Sequence, residues 1–140
     1  MPIVEADFHD RKSILFTARG RTFANSRETV DGELIGFSSM ELLLIALGHC
    51  TLGVVQNHEL LKDVNVTKCK ATLESEGERN PSRMSSIKVV IEVEADDPSI
   101  KAQQDTLERV ANSCPVGNTL KFSPKIEVEL RLSAPALTGA

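Results

Sequence analysis

Near its start the chain groups its apolar residues into three short β-prone stretches, Ile3 to Phe8, Ser13 to Ala18 and Arg21 to Asn25. His9-Asp10-Arg11-Lys12 and Arg19-Gly20 separate them as turns, which predicts a small antiparallel meander. Residues 26–36, with Asp31-Gly32 and Gly36, read as loop. Ser38 and Glu41 then stand three apart before an apolar run, the spacing of a capping box, and no proline interrupts the stretch to Lys62. The run Leu42 to Leu47 points in every direction around a helix, so the first half of this helix is expected to be buried on all sides. Its second half, Gln56 to Lys62, is polar on one side and is expected to emerge toward solvent.

Two further alternating stretches, Val64 to Glu76 and Ile87 to Glu94, flank the polar segment Gly77 to Ser86 and predict a hairpin. Asp97 before Pro98 is an N-cap followed by proline at the first helical position, and Ile100, Leu107, Val110, Ala111 and Cys114 follow at helical spacing. After Cys114-Pro115-Val116-Gly117-Asn118-Thr119-Leu120, the residues Ile126, Val128, Leu130 and Leu132 alternate with charges as a last strand, and Ser133 to Ala140 reads as a loose tail. The predicted order is β-β-β-α-β-β-α-β, an α+β plan with antiparallel sheet.

At 140 residues the chain fits one domain, taken as residues 1–140, and its 41% hydrophobic and 26% charged content is that of a globular protein. A net charge of −4 without a Lys/Arg run longer than a pair argues against nucleic-acid or anionic-membrane partners. The aromatics are all Phe, which leaves no Tyr or Trp platform for stacking bases or sugars. No apolar run approaches the ~20 residues of a membrane span. The acidic N-terminal stretch does not read as a targeting peptide, and an odd count of three cysteines fits a reducing cytoplasm.

The three cysteines differ in setting. Cys50, mid-helix among Leu43, Ala46, Leu47, Gly53 and Val54, looks like packing, and burial among aliphatics raises a thiol pKa. His49 is adjacent but about 100° round the helix, a poor position for an activating cation. Cys114 precedes a proline, which pushes it out of the α region and lets it cap a new helix, where the dipole favours a thiolate. Cys69 shares a strand face with Ala71 and Leu73 and reads as packing. With no C-x-x-C, no H-x-x-x-H and no G-x-S-x-G, neither a metal nor another cofactor is expected.

The segments Gly36-Phe37-Ser38-Ser39-Met40-Glu41-Leu42-Leu43-Leu44-Ile45-Ala46-Leu47-Gly48-His49-Cys50 and Cys114-Pro115-Val116-Gly117-Asn118-Thr119-Leu120 together resemble the two cysteine motifs of the OsmC/Ohr family of cysteine-dependent peroxidases and relatives. The resemblance implies the OsmC-like fold, a stress-response role and reduction of hydroperoxides. It makes Cys50 the peroxidatic cysteine and Cys114 the resolving one, with an external thiol, a dihydrolipoyl group or other dithiol, as reductant. Such a disulfide requires the end of the second helix to lie against the middle of the first. The family's peroxidases also pair an Arg with a Glu ten residues before the peroxidatic cysteine, where this chain has Met40. Glu41 is one position off and already has a capping role. Arg27 and Arg11 both fall near the place of the activating arginine, with Arg27 preferred. These departures place the chain nearer the OsmC-like relatives than the organic hydroperoxide reductases, and leave a non-catalytic small-ligand-binding or redox-sensing module as the alternative.

A helix from Ser38 to Lys62 would span about 37 Å, roughly the diameter of a compact chain of this size. One chain cannot wrap such a helix, so an intertwined homodimer is expected, as the resemblance also implies.

Overall fold

The computed structural model describes residues 2–135; of the tail expected at 133–140, residues 136–140 lie outside the described residues. The architecture is α+β with antiparallel sheets. Strands β1 (Glu5–His9), β2 (Ser13–Ala18) and β3 (Arg21–Ser26) form the expected meander in the order β1-β2-β3. Its turns are set by residues at positive φ, Asp10 and Arg11 in the first and Arg19 and Gly20 in the second. Two consecutive residues of this kind are the pattern of a type I′ turn, whose twist matches that of the strands it joins. The two-residue second turn places Phe16 opposite Phe23, and the rings stack with centroids 5.0 Å apart. Within the expected loop, β4 (Thr29–Val30) and β5 (Glu33–Leu34) make a miniature hairpin around Asp31-Gly32, both at positive φ.

This small hairpin is pinched off at its base. Asn25, buried at the end of β3, donates from Nδ2 to the Phe37 carbonyl and accepts the Phe37 N–H at Oδ1, both at 2.8 Å. Gly36 makes the approach possible, since a Cβ there would stand 2.6 Å from Asn25 Oδ1 and clash with the Ser26 carbonyl. One residue later the chain enters α1 (Ser39–Gln56) through the predicted capping box: Ser38 Oγ accepts the Glu41 N–H at 3.1 Å and Glu41 Oε1 accepts the Ser38 N–H at 2.9 Å.

The long helix is shorter than expected. Asn57 ends α1, His58 turns extended, and its Nδ1 accepts the Leu60 N–H at 3.2 Å to start a new helix, α2 (Glu59–Lys62). By length and hydropathy α1 reaches a short membrane span, 18 residues at a mean hydropathy of 1.4, and here it is the helix on which the sheet and the other helices pack. Strands β6 (Val66–Glu78) and β7 (Arg83–Ala95) pair over 13 residues each, with Cys69, Ala71 and Leu73 opposite Val93, Ile91 and Val89. Gly48 lets the hairpin close onto α1, as a Cβ there would already be 3.0 Å from Leu73 Cδ1.

The second predicted helix is divided. A 3₁₀ segment (Pro98–Gln103), capped by Asp97 Oδ1 accepting the Ser99 N–H, leads into α3 (Gln104–Ala111), and after a break at Asn112 to Cys114 the chain enters α4 (Pro115–Lys121). Beyond α4 the expected last strand, 125–132, forms no ladder with any described residue, although the β1-β2-β3 and β6-β7 sheets both keep open edges. Its alternate residues Ile126, Val128, Leu130 and Leu132 are 80–90% exposed. Nor is the first half of α1 buried all round: Leu42, Leu43 and Leu44 are half-buried and Ile45 and Ala46 are exposed, while Leu47, Thr51, Val55 and Leu61 carry the core.

Removing the Asn25 clamp strands two backbone groups, a cost of about 1–3 kcal/mol, and a methyl at Gly36 forces the same two segments apart at similar cost. Asn25→Ala and Gly36→Ala are each expected to lower the unfolding free energy by about that amount in urea titrations. The double variant should lose less than the sum, because both changes break one junction.

Candidate functional site

Cys114 owes its position to Pro115. A residue before proline avoids the α region, and Cys114 sits at φ −65, ψ 135 as the N-cap of α4, where its Sγ accepts the Gly117 N–H at 3.1 Å. The helix packs on α1, with Gly117 close enough to Leu47 that a Cβ would meet Cδ1 at 3.7 Å. This docking brings the Cys114 thiol beside Cys50, close enough for each to influence the other's charge. Both thiols, and that of Cys69, are free.

The two neighbours have different surroundings. Cys114 is 1% exposed. Burial first, and then the adjacent Cys50, push its thiol above the ordinary range, while the Gly117 and Val116 N–H groups act in the opposite sense. Cys50 is half-buried and opens onto a groove of about 890 Å³ walled by Phe16, Phe23, Leu42, Ile45 and Val116. Cys114 lines a second cavity, about 1400 Å³, between α1, β7, α3 and α4, with Leu43, Leu47, Val55, Ile91 and Leu107. The thiol pair therefore forms part of a wall between two apolar spaces.

The other residues singled out from the sequence stand elsewhere. Arg27 lies at the foot of the β4–β5 hairpin, its N–H donating to the Lys12 carbonyl at 2.7 Å, and it lines neither space. Arg11 is in the β1–β2 turn and also lines neither. Glu41 is engaged in the capping box, and the hydrogen bonds from Ser38 hold its carboxyl below the usual range. Met40 lines the Cys114 cavity. Cys69 faces inward on β6, where burial pushes its thiol up.

His49 differs from its sequence-based reading. A 100° step separates the Cα–Cβ directions of His49 and Cys50, yet both side chains line the same groove. The phenylalanine wall opposite was also missed, although a signal for it existed: Phe16 and Phe23 are equidistant from Arg19-Gly20, so a two-residue turn makes them cross-strand neighbours.

Side by side, a half-exposed thiol and a buried one are suited to oxidation of the first and condensation with the second. A disulfide between them requires Cα atoms within about 7 Å of each other.

No curated protein matches the chain by sequence. Among solved structures it is similar to an OsmC-like protein from Mycoplasma pneumoniae, with a TM-score of 0.70 and 16% identity over 88% of this chain and 89% of that one. A protein from Aquifex aeolicus gives a TM-score of 0.65 at 18% identity, covering 88% of this chain and 89% of the other. An OsmC-like protein of unknown function from Vibrio cholerae gives 0.65 at 11% identity, covering 85% and 92%. At these identities the likeness concerns the fold. The sequence profile of the family described as OsmC-like protein matches residues 30–129, a span that contains α1, the β6–β7 hairpin and both cysteines of the site. The chain belongs to the OsmC-like protein family.

Proposed function

We propose that this protein is a thiol-dependent peroxidase that reduces hydroperoxides, organic ones in particular. The observation that carries the reading is the closeness of Cys50, open to an apolar groove, to the buried Cys114. The Cys50 thiolate attacks the terminal oxygen of ROOH, the O–O bond breaks, and Cys50 becomes a sulfenic acid as the alcohol leaves. The Cys114 thiol then attacks the Cys50 sulfur, releasing water and forming the disulfide. An external dithiol, of the dihydrolipoyl type or another, returns both cysteines to thiols and is itself oxidised.

The working unit of this proposal is a homodimer. Its support is the unladdered segment 125–132 with its exposed apolar row, together with the open face of α1. A strand with free N–H and C=O groups finds its complement on the sheet edge of a second copy. The dimer also bears on thiolate activation. No Lys or Arg is among the residues lining the Cys50 groove, while Arg27 sits below a hairpin that exposes Val30, Leu34 and Ile35. Docking of that hairpin on a second copy delivers Arg27 as the activating cation.

Purified reduced protein is expected to consume cumene hydroperoxide, Cys50→Ser to fall to the uncatalysed background, and Cys114→Ser to accumulate a sulfenic acid trapped by dimedone. Wild-type turnover in Cys50→Ser overturns the reading, and an inert wild type with intact thiols favours a ligand-binding or redox-sensing module, a role consistent with Met40 in place of the family's glutamate.

Because only the thiolate alkylates, the raised Cys114 and Cys69 thiols are protonated at neutral pH and gain reactivity only as pH rises toward their elevated values. Iodoacetamide at pH 7 is therefore expected to label Cys50 first, with Cys114 and Cys69 following at alkaline pH, as read by peptide mass mapping.

Light scattering should give twice the 15.3 kDa chain mass, and a chain ending at Phe122 should lose the dimer. A stable full-length monomer contradicts the assembly.

A further inference from the structure

The peroxidase reading leaves one proton unassigned. When the Cys50 sulfur takes the terminal oxygen of an alkyl hydroperoxide, the O–O bonding pair departs on the other oxygen as an alkoxide, a far stronger base than the thiolate that displaced it. The groove offers few sources for the proton that alkoxide needs. Its walls are aliphatic and phenylalanine side chains, and its polar side chains are His49, Cys50 and Asn57. Asn57 donates hydrogen bonds but does not give up a proton at neutral pH, and Cys50 is the nucleophile. Apart from Cys50, His49 is therefore the titratable side chain lining the groove.

His49 is also free to act. Its side chain is exposed, and no hydrogen bond or ion pair ties its ring to another described residue, whereas His58 on the same stretch is engaged as a helix cap. As the residue before Cys50 on α1, it borders the space that the substrate must occupy for its O–O bond to reach the Cys50 sulfur.

We infer that His49 is the general acid of the site, protonating the leaving alkoxide as the Cys50 sulfur attacks. In this step the S–O bond forms and the O–O bond breaks. The Cys50 thiolate, ROOH and the imidazolium become Cys50 sulfenic acid, ROH and neutral imidazole, and solvent returns the proton to His49. Sulfur is oxidised and the peroxide reduced, with no further reactant. The inference rests on the peroxidase reading and adds a residue to it.

Leaving-group dependence separates this role from a structural one. A peroxycarboxylic acid expels a carboxylate, which needs no proton, whereas tert-butyl and cumene hydroperoxides expel alkoxides, which do. Second-order rates of Cys50 oxidation are compared for full-length wild type, His49→Leu and His49→Gln with peroxybenzoic acid and with the two alkyl hydroperoxides. General acid catalysis contributes ~10²-fold or more where it operates, so both variants should lose at least about tenfold with the alkyl hydroperoxides and stay within about twofold of wild type with peroxybenzoic acid. Equal losses with both classes, no loss with either, or recovery in His49→Gln overturns the inference, the last because glutamine keeps a hydrogen bond but supplies no proton. The peroxybenzoic acid rate also reports whether each variant is folded. A wild type that reacts with peroxybenzoic acid and ignores alkyl hydroperoxides refutes the peroxidase reading itself, so the two failures are distinguishable.

Discussion

An apolar helix has to be covered on every side it presents to water, and most of this structure follows from how α1 meets that demand. One face receives the inner side of the β6–β7 hairpin, where Gly48 admits Leu73 at contact distance. Another receives α3 and α4. The capping box and the Asn25 clamp fix where the helix begins, and so fix which residues meet which partner. The face bearing Ile45 and Ala46 is left over, opposite the phenylalanines of the meander, and that remaining side is where Cys50 opens. The site thus lies where coverage by a single chain runs out.

Local chemistry was readable from the sequence wherever a few adjacent residues decide the outcome. Ser38 and Glu41 announced the helix start, Arg19-Gly20 the tight turn, and Cys114-Pro115 the cap of a new helix, because each depends on one side chain's hydrogen bonds or on steric limits to φ and ψ. The end of α1 was not readable, since the break depends on the His58 ring accepting a single N–H and nothing in the apolar periodicity marks it. The strand pattern at 125–132 was legible as an alternation, but alternation names a face and not the edge it bonds to.

The site was legible in the same uneven way. That Cys50 and Cys114 are neighbours depends on how α4 docks against α1 across more than sixty intervening residues, which no periodicity encodes; the expectation came from likeness to a family. His49 was set aside on helical geometry alone. An angle around a helix axis describes where a side chain starts, whereas a groove is shared by whatever ends there, and the groove that Phe16, Phe23 and Val116 help to line is bordered by both residues.

The unequal burial of the two thiols gives any disulfide between them a direction. A thiol arriving from solvent meets the Cys50 sulfur through the groove, while the Cys114 sulfur is enclosed. Exchange proceeds in line, with the attacked sulfur between the incoming and departing ones. Cys114 is then the departing sulfur, and its negative charge develops facing the Gly117 and Val116 N–H groups. In the proposed cycle the helix cap that orders α4 in the reduced chain would thus double as a cradle for the leaving group, with an external thiol entering from one side of the wall.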